Sequence, residues 1–195
     1  MKIGIDYSLS CPGLCINTSE EEFRYEDCKF YYLTNTKKYE GTFKEKIAFG
    51  TSAVEYIGTP HRSYKDEPER YSNIADWFVE IVKSYYPPHQ VSQTHPHINL
   101  EDYSFASKGR VFHIAENVGI LKYKMKQNGW DYTLLAPSVI KKFATGKGNT
   151  NKEGMVGAFE KDTGVNLELL FDSSIKSPIT DIADAYFICK HQANS

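Results

Sequence analysis

The 195-residue sequence lacks the features that mark membrane, secreted and disordered proteins. No apolar run approaches the ~20 residues needed to cross a bilayer, so we expect no membrane span and no membrane partner. The N-terminus places Asp6 where a secretory signal would carry its apolar segment, which predicts a cytoplasmic protein. No internal repeat or low-complexity segment is present, and a hydrophobic content of 41% predicts a folded chain.

The sequence is also poor in metal-binding patterns built on cysteine or histidine. Its four cysteines form no CxxC pair, and we interpret them as reduced thiols with structural roles. The histidines of residues 87–97 have no interleaved cysteine or acid, which predicts an exposed loop rather than a metal site. The residues concerned are Cys11, Cys15, Cys28, Cys189, His89, His95 and His97.

The chain has no strong net charge of either sign, but its charged residues are unevenly distributed along the sequence. The net charge of -2, from 23 basic and 25 acidic side chains, by itself argues against a nucleic-acid partner. Residues 104–152, however, carry nine basic and two acidic side chains, whereas residues 1–103 and 153–195 are acidic. A block with net charge +7 can bind phosphates whatever the total. A solvated helix face is the alternative interpretation.

The order of predicted elements indicates one α/β domain over residues 1–195. Three short apolar segments within residues 2–33 predict an antiparallel three-strand meander. Segments at 97–101 and 130–135 follow helical patterns and predict parallel strands. We therefore expect a mixed five-stranded sheet flanked by helices, with residues 34–70 forming loop and some added strand.

Apolar periodicity and helix-end signals place the helices. Helical spacing predicts a helix over residues 71–86, stopped by Pro87, and a second helix closed by Gly129. Thr150 and Glu153 have the spacing of a capping box and predict a third helix start.

Four carboxylates occupy positions where a catalytic site could form. Asp6 ends the first predicted strand, Glu101 ends the fourth, and Asp181 and Asp184 lie three residues apart in the last helix. Strand ends and a helix crossing them can converge, and clustered carboxylates need cations to offset their repulsion. Oxygen ligands favour Mg²⁺ or Mn²⁺, and a pair of such ions promotes phosphodiester hydrolysis.

Three of these acids also have structural interpretations that the sequence leaves open. Asp181 can stabilise a helix start through the dipole, Asp184 can be an exposed helix residue, and Asp102 can be the relevant acid instead of Glu101. Asp6 differs, because a charge after Ile-Gly-Ile is expected to be half buried and to need a partner.

Four segments share their order and residue types with one known family. They are Ile3-Gly-Ile-Asp6 with Gly13, Ile98-Asn-Leu-Glu101, residues 136–153, and Asp181-Ile-Ala-Asp184-Ala. The third, with Pro137-Ser-Val-Ile-Lys-Lys, Thr145-Gly-Lys-Gly and Lys152, is the most specific. Together they resemble the RuvC-like Holliday junction resolvases of the RNase H-like superfamily. The departure Tyr7-Ser-Leu-Ser10 and the long residues 34–70 indicate a divergent branch, such as a phage or viral one.

The resemblance implies an RNase H-like fold, a homodimer and metal-dependent nicking of branched DNA, the four-way Holliday junction. Paired symmetric nicks would leave 5′ phosphates. It implies two Mg²⁺ ions per active site, with Mn²⁺ able to substitute. Asp6, Glu101, Asp181 and Asp184 would be both the catalytic residues and the metal ligands. A viral protein of this kind would act in the host cytoplasm.

The basic block then has an expected role in DNA binding. Lysine and arginine would bind the backbones, and an aromatic side chain just after Glu101 could insert among unpaired bases. Core packing is the alternative for the aromatics. The expected DNA-binding residues are Tyr103, Phe105, Lys108, Arg110, Lys141, Lys142, Lys147 and Lys152.

Three other functions remain open from the sequence. A broader branched-DNA or flap nuclease would use the same acids, and a non-catalytic DNA-binding module would share the fold. An actin-like kinase or ATPase also has an acid after its first strand, but it needs two lobes. The Gly146-Lys-Gly-Asn-Thr-Asn-Lys run lacks the P-loop spacing. The complete set of four acids favours a nuclease.

Overall fold

The strands form one mixed sheet in the computed structural model, which describes residues 1–46, 53–86, 96–102 and 111–193. These ranges contain seven strands, paired in the order β4-β5-β3-β2-β1-β6-β7 across the sheet. The strands are β1 (Lys2–Asp6), β2 (Gly13–Asn17), β3 (Cys28–Thr34), β4 (Gly41–Lys46), β5 (Ala53–Pro60), β6 (His97–Glu101) and β7 (Asp131–Leu135).

Six α-helices lie in the same described ranges, with two short 3₁₀ turns near β3. None of the helices there is both long and apolar enough to cross a membrane. The helices are α1 (Glu67–Ser84), α2 (Val111–Gln127), α3 (Pro137–Thr145), α4 (Lys152–Thr163), α5 (Leu167–Phe171) and α6 (Ile179–Gln192).

The predicted meander and parallel strands are present, but the predicted count of five strands is wrong. β1 pairs antiparallel with β2, and β2 with β3, whereas β6 and β7 continue the sheet in parallel from β1. β5 pairs in parallel with β3, and β4 pairs antiparallel with β5 at the edge. The region expected to be mostly loop therefore adds two strands. Within residues 34–70, residues 47–52 lie outside the described residues.

Two helix starts differ from the sequence prediction because nearby side chains cap them. α1 begins before residue 71, since the Asp66 carboxylate accepts a hydrogen bond from the Glu69 backbone N–H at 2.8 Å. α4 is capped by Asn151, whose side-chain oxygen accepts from the Gly154 N–H at 3.0 Å. The predicted Thr150 capping box is therefore replaced by an asparagine cap one residue later.

Helices cover both faces of the sheet and create two buried clusters. On one face α6 lies across β1 and β2, and a Cβ added to Gly4 would meet the Cys189 backbone nitrogen at 2.1 Å. Glycine at this position therefore allows α6 to approach β1 closely. On the other face α1 and α2 contribute Phe78 and Leu121 to a cluster with Ile3 and others.

The four cysteines form no disulfide, and Cys15 lies against Cys28 and Cys189 in one buried cluster. All four cysteines are buried free thiols. His97 begins β6, and its Nε2 hydrogen bonds with Thr133 Oγ1 on β7 at 2.8 Å. His89 and His95 lie outside the described residues.

Candidate active site

The carboxyl ends of β1 and β6 bring two acids side by side. Ile5 pairs with Leu100 in parallel register, so Asp6 and Glu101 occupy the next positions on adjacent strands. Strands paired in this way lie about 4.8 Å apart. Burial raises the pKa of both carboxyl groups, and the interaction between them raises the pKa of Asp6 further while it partly offsets the rise for Glu101.

The first turns of α6 add the other two acids at the same edge. Asp181 is buried, with 8% of its surface exposed, and Asp184 follows one turn later. A Cβ added to Gly13 at the start of β2 would meet the Asp181 carbonyl oxygen at 2.4 Å. The glycine therefore lets the start of α6 sit directly against the strand ends.

Electrostatic effects show that the four acids lie in one cluster. Burial raises the pKa of Asp6 well above its usual value, and the negative charges of Glu101, Asp181 and Asp184 raise it further. Burial, followed by the charges of Glu101 and Asp181, raises the pKa of Asp184 to about 7. The structure thus brings together the four acids singled out in the sequence.

Several polar neighbours of Asp181 were not anticipated from the sequence. Burial raises the pKa of Asp181, while a hydrogen bond from Ser177 is the largest opposing effect. Thr180 Oγ1 donates to Asp181 Oδ2 at 3.3 Å. The Cys11 thiol lies against Asp181 and near Asp6. The sequence around Ser177 indicated only a helix start, so nothing in it pointed to a carboxylate partner.

Two of the predicted DNA-binding lysines face the acid cluster. Burial raises the pKa of Glu101 and Asp184, and the positive charge of Lys141 on α3 partly opposes this rise for both acids. The charge of Lys152 at the start of α4 does the same for Asp181 and Asp184. These lysines offset part of the negative charge that burial and crowding make unfavourable.

The remaining predicted DNA-binding residues have different outcomes. Lys142 and Lys147 are exposed near the α3–α4 connection. Lys124 of the basic block instead pairs with Asp76 and donates to Ser72 Oγ at 2.9 Å, which joins α2 to α1. Four predicted residues lie outside the described ranges, namely Tyr103, Phe105, Lys108 and Arg110.

Comparison with solved structures identifies the fold. No protein-family model matches the chain, and no curated protein matches its sequence. A RuvC structure from Thermus thermophilus matches at TM-score 0.56 and 15% identity, covering 98% of this chain and 92% of that chain. T. thermophilus RuvC in complex with Holliday junction substrate matches at TM-score 0.59 and 13% identity, with coverage of 99% and 93%. This chain has a RuvC-like fold.

The RuvC-like fold confirms the architecture inferred from the four sequence segments. The predicted arrangement of a mixed sheet with flanking helices is present. The likeness extends over nearly the full length of both chains, so the acid-bearing elements β1, β6 and α6 all belong to the shared fold.

The donor chemistry of the cluster in this RuvC-like fold suits a hard divalent cation. Four carboxylates offer only oxygen, and a cation would relieve the repulsion that contributes to the raised pKa of Asp6 and Asp184. Within the described ranges, no group of three or more His, Cys, Asp or Glu side chains is placed so that it could hold a metal ion. Chelation therefore requires the carboxylates to move closer together, which their repulsion opposes until a cation binds.

The raised pKa of Asp184 predicts a pH-dependent stability in EDTA. A carboxyl whose folded pKa is about 7 stabilises the fold fully at low pH, and this contribution is lost as pH rises through about 7. Asparagine does not titrate, so Asp184→Asn avoids this loss. The unfolding free energy of the variant minus that of wild type should therefore increase by about 2 kcal/mol from about pH 5 to about pH 8. Urea unfolding at the two pH values measures the gain.

The matched control for this prediction is Asp131→Asn, which changes an exposed acid on β7. Its stability difference from wild type should be the same at both pH values. A wild-type protein whose stability changes with pH in parallel with that of Asp184→Asn would contradict the buried acid cluster.

Proposed function

We propose that this chain is a metal-dependent, structure-selective DNA endonuclease that resolves four-way junctions by paired symmetric nicks. The observation that carries the proposal is the cluster of Asp6, Glu101, Asp181 and Asp184, faced by lysines, on a RuvC-like fold. One of the solved RuvC structures with this fold is bound to Holliday junction substrate. The proposal transfers that substrate class to this chain.

The four acids are proposed to hold two Mg²⁺ ions, with Mn²⁺ as a substitute. When bound, such ions would supply activation of the attacking water and stabilisation of the leaving 3′ oxygen. The carboxylates of the chain would hold the ions in position. Because the carboxylates are buried and water is excluded, their electrostatic interactions with the ions would be stronger than at an exposed site. The products expected from hydrolysis of this kind carry 5′ phosphates and 3′ hydroxyls.

The lysines of the chain position the DNA strand beside the acids. Lys141 and Lys152 already face the carboxylates, so a phosphate entering between them would meet positive charge on the protein side. Lys142 and Lys147 are exposed farther along the same segment, where they can bind neighbouring phosphates. Phosphate contacts of this kind orient the strand without reading its sequence.

No side chain of the cluster is proposed as a covalent nucleophile. Cys11 is the one thiol beside the acids among the described residues, and burial together with the nearby carboxylates raises its pKa. The thiol therefore stays protonated and is a poor nucleophile. Direct attack by water fits the composition of the cluster. Each of the two strands would be cut by a different subunit.

A homodimer is the proposed active assembly. A four-way junction has twofold symmetry, and a twofold dimer presents two identical sites to two strands of like polarity. Each subunit would then nick one strand at a symmetric position.

A panel of synthetic substrates tests the proposal. The protein is incubated in Mg²⁺ with a four-way junction, a three-way junction, a 5′ flap and a linear duplex of matched sequence, and each strand is labelled in turn. We expect paired nicks at symmetric positions on the four-way junction and little cutting of the duplex. Single nicks confined to flaps would instead support a debranching nuclease, and binding without cutting would support a non-catalytic module.

A further inference from the structure

The connection between β1 and β2, residues 7–12, is part of the wall of the acid cluster. It begins directly after Asp6 and ends before Gly13, whose backbone lies against Asp181. Cys11 within it contacts the Asp181 carboxyl. The position of this β1–β2 loop therefore determines how Asp6 and Asp181 are placed relative to each other.

Two distant side chains hold this loop by consecutive carbonyl groups. Arg70 Nη2 on α1 donates to the Leu9 carbonyl oxygen at 3.0 Å. His61, which follows β5, lies with Nε2 2.8 Å from the Ser10 carbonyl oxygen. Because a carbonyl oxygen can only accept, the imidazole must donate through Nε2.

Both side chains are themselves held in place. The Arg70 side chain is only 15% exposed, forms an ion pair with Glu67 at 3.4 Å and lies 5.3 Å from the Tyr64 ring centre. Burial lowers the pKa of His61, the hydrogen bond to Ser10 partly opposes this shift, and the nearby positive charge of Arg70 lowers the pKa further. Fixing a long arginine side chain costs conformational entropy, which its contacts must offset.

The loop also contacts the hydrophobic core, because Tyr7 and Cys11 belong to the two buried clusters and Leu9 packs against one of them, whereas Ser10 is exposed. Loss of either donor should therefore loosen the backbone around residues 9 and 10 while Tyr7 and Cys11 stay packed in the core. The consequence would appear at the acid cluster, which the loop adjoins.

We propose that Arg70 and His61 are positioning residues that hold the β1–β2 loop against the acid cluster and so set its affinity for divalent cations. The inference rests on the proposed nuclease function. It assigns a role to the region containing β5 and the start of α1, which supplies both donors. Neither residue is proposed to touch DNA or the reacting phosphate.

The test measures Mn²⁺ binding by calorimetry together with single-turnover cleavage of a four-way junction. Arg70→Ala and His61→Ala should each weaken Mn²⁺ binding and slow cleavage by about tenfold or more, as is usual when a residue that orients metal ligands is lost. Junction affinity, measured in Ca²⁺, should change by less than about twofold, because phosphate contacts determine it.

Matched variants separate positioning from a general structural role. His61→Gln keeps a side-chain N–H donor and should recover most of the Mn²⁺ affinity lost in His61→Ala. Arg62→Ala removes a neighbouring arginine that pairs with Glu80 on the surface, and it should behave as wild type. If Arg70→Ala does not fold, the His61→Ala and His61→Gln pair decides the question.

The outcomes distinguish this inference from the proposed function. If wild type cleaves junctions and binds Mn²⁺ but the folded Arg70 and His61 variants do so equally well, only the positioning role is overturned. Loss of junction affinity with unchanged Mn²⁺ binding would also overturn it, because the residues would then be DNA contacts. If wild type neither cleaves nor binds Mn²⁺, the proposed function fails and the positioning role fails with it.

Discussion

Asp6→Asn is expected to reduce cleavage of a four-way junction by about 10³-fold or more while junction binding is retained. Asp6 ends β1, an interior strand of the sheet, and burial followed by the charges of the other three acids raises its pKa. The amide keeps the size of the side chain but cannot supply a carboxylate for a cation. Because the change also removes a repulsive charge, the folded protein should be at least as stable as wild type.

Single-turnover cleavage in Mg²⁺ and junction binding in Ca²⁺ provide the two measurements for Asp6→Asn. Asp131→Asn, an exposed acid on β7, is the control of equal charge change and should cleave at the wild-type rate. Full activity of Asp6→Asn would remove Asp6 from the proposed site. Loss of binding in parallel with cleavage would indicate that the carboxylate serves the DNA interface or the fold.

Junction affinity is expected to fall by about 10⁴-fold as salt increases from about 50 to 200 mM. The proposed dimer would present Lys141, Lys142, Lys147 and Lys152 twice, which makes about eight phosphate contacts. Each contact releases counterions from DNA, and the logarithm of affinity therefore falls linearly with the logarithm of salt. Fluorescence anisotropy of a labelled junction with the Asp6→Asn protein measures this slope without cleavage.

Variants of single lysines test which residues contribute to the salt dependence of junction affinity. Lys142→Gln should reduce the slope by about two in a dimer, since each lost phosphate contact contributes about 0.9 per subunit. Lys124→Gln is the matched control, because Lys124 pairs with Asp76 on the protein, and its slope should equal that of wild type. An affinity that does not respond to salt would contradict DNA binding by the basic block.

The part of the fold that carries the acids could be predicted because its signals are local. Apolar residues precede Asp6 and Glu101 in short strands, and both strands are buried. The strand at the edge of the sheet was harder to predict from the sequence, because β4 has the sequence Gly-Thr-Phe-Lys-Glu-Lys and none of its residues is buried. Its position depends on pairing with β5 rather than on a hydrophobic pattern of its own.

The surroundings of the site could not be predicted because backbone atoms make many of the contacts. Arg70 and His61 bind carbonyl oxygens 61 and 51 residues away, and any residue type supplies such an acceptor. The contact of Gly13 with Asp181 likewise depends on how α6 crosses the sheet. Acid identity and spacing are visible in a sequence, whereas the loop that positions the acids is visible only in three dimensions.

The most direct test of the metal-dependent site is the anomalous diffraction of crystals soaked in Mn²⁺ at a concentration that supports junction cleavage. We predict Mn²⁺ peaks within bonding distance of Asp6 and of carboxylate oxygens from Glu101, Asp181 and Asp184, with the side chains drawn together around the ions. A cluster that stays empty of Mn²⁺ under cleavage conditions, or Mn²⁺ bound only elsewhere on the protein, would contradict the account.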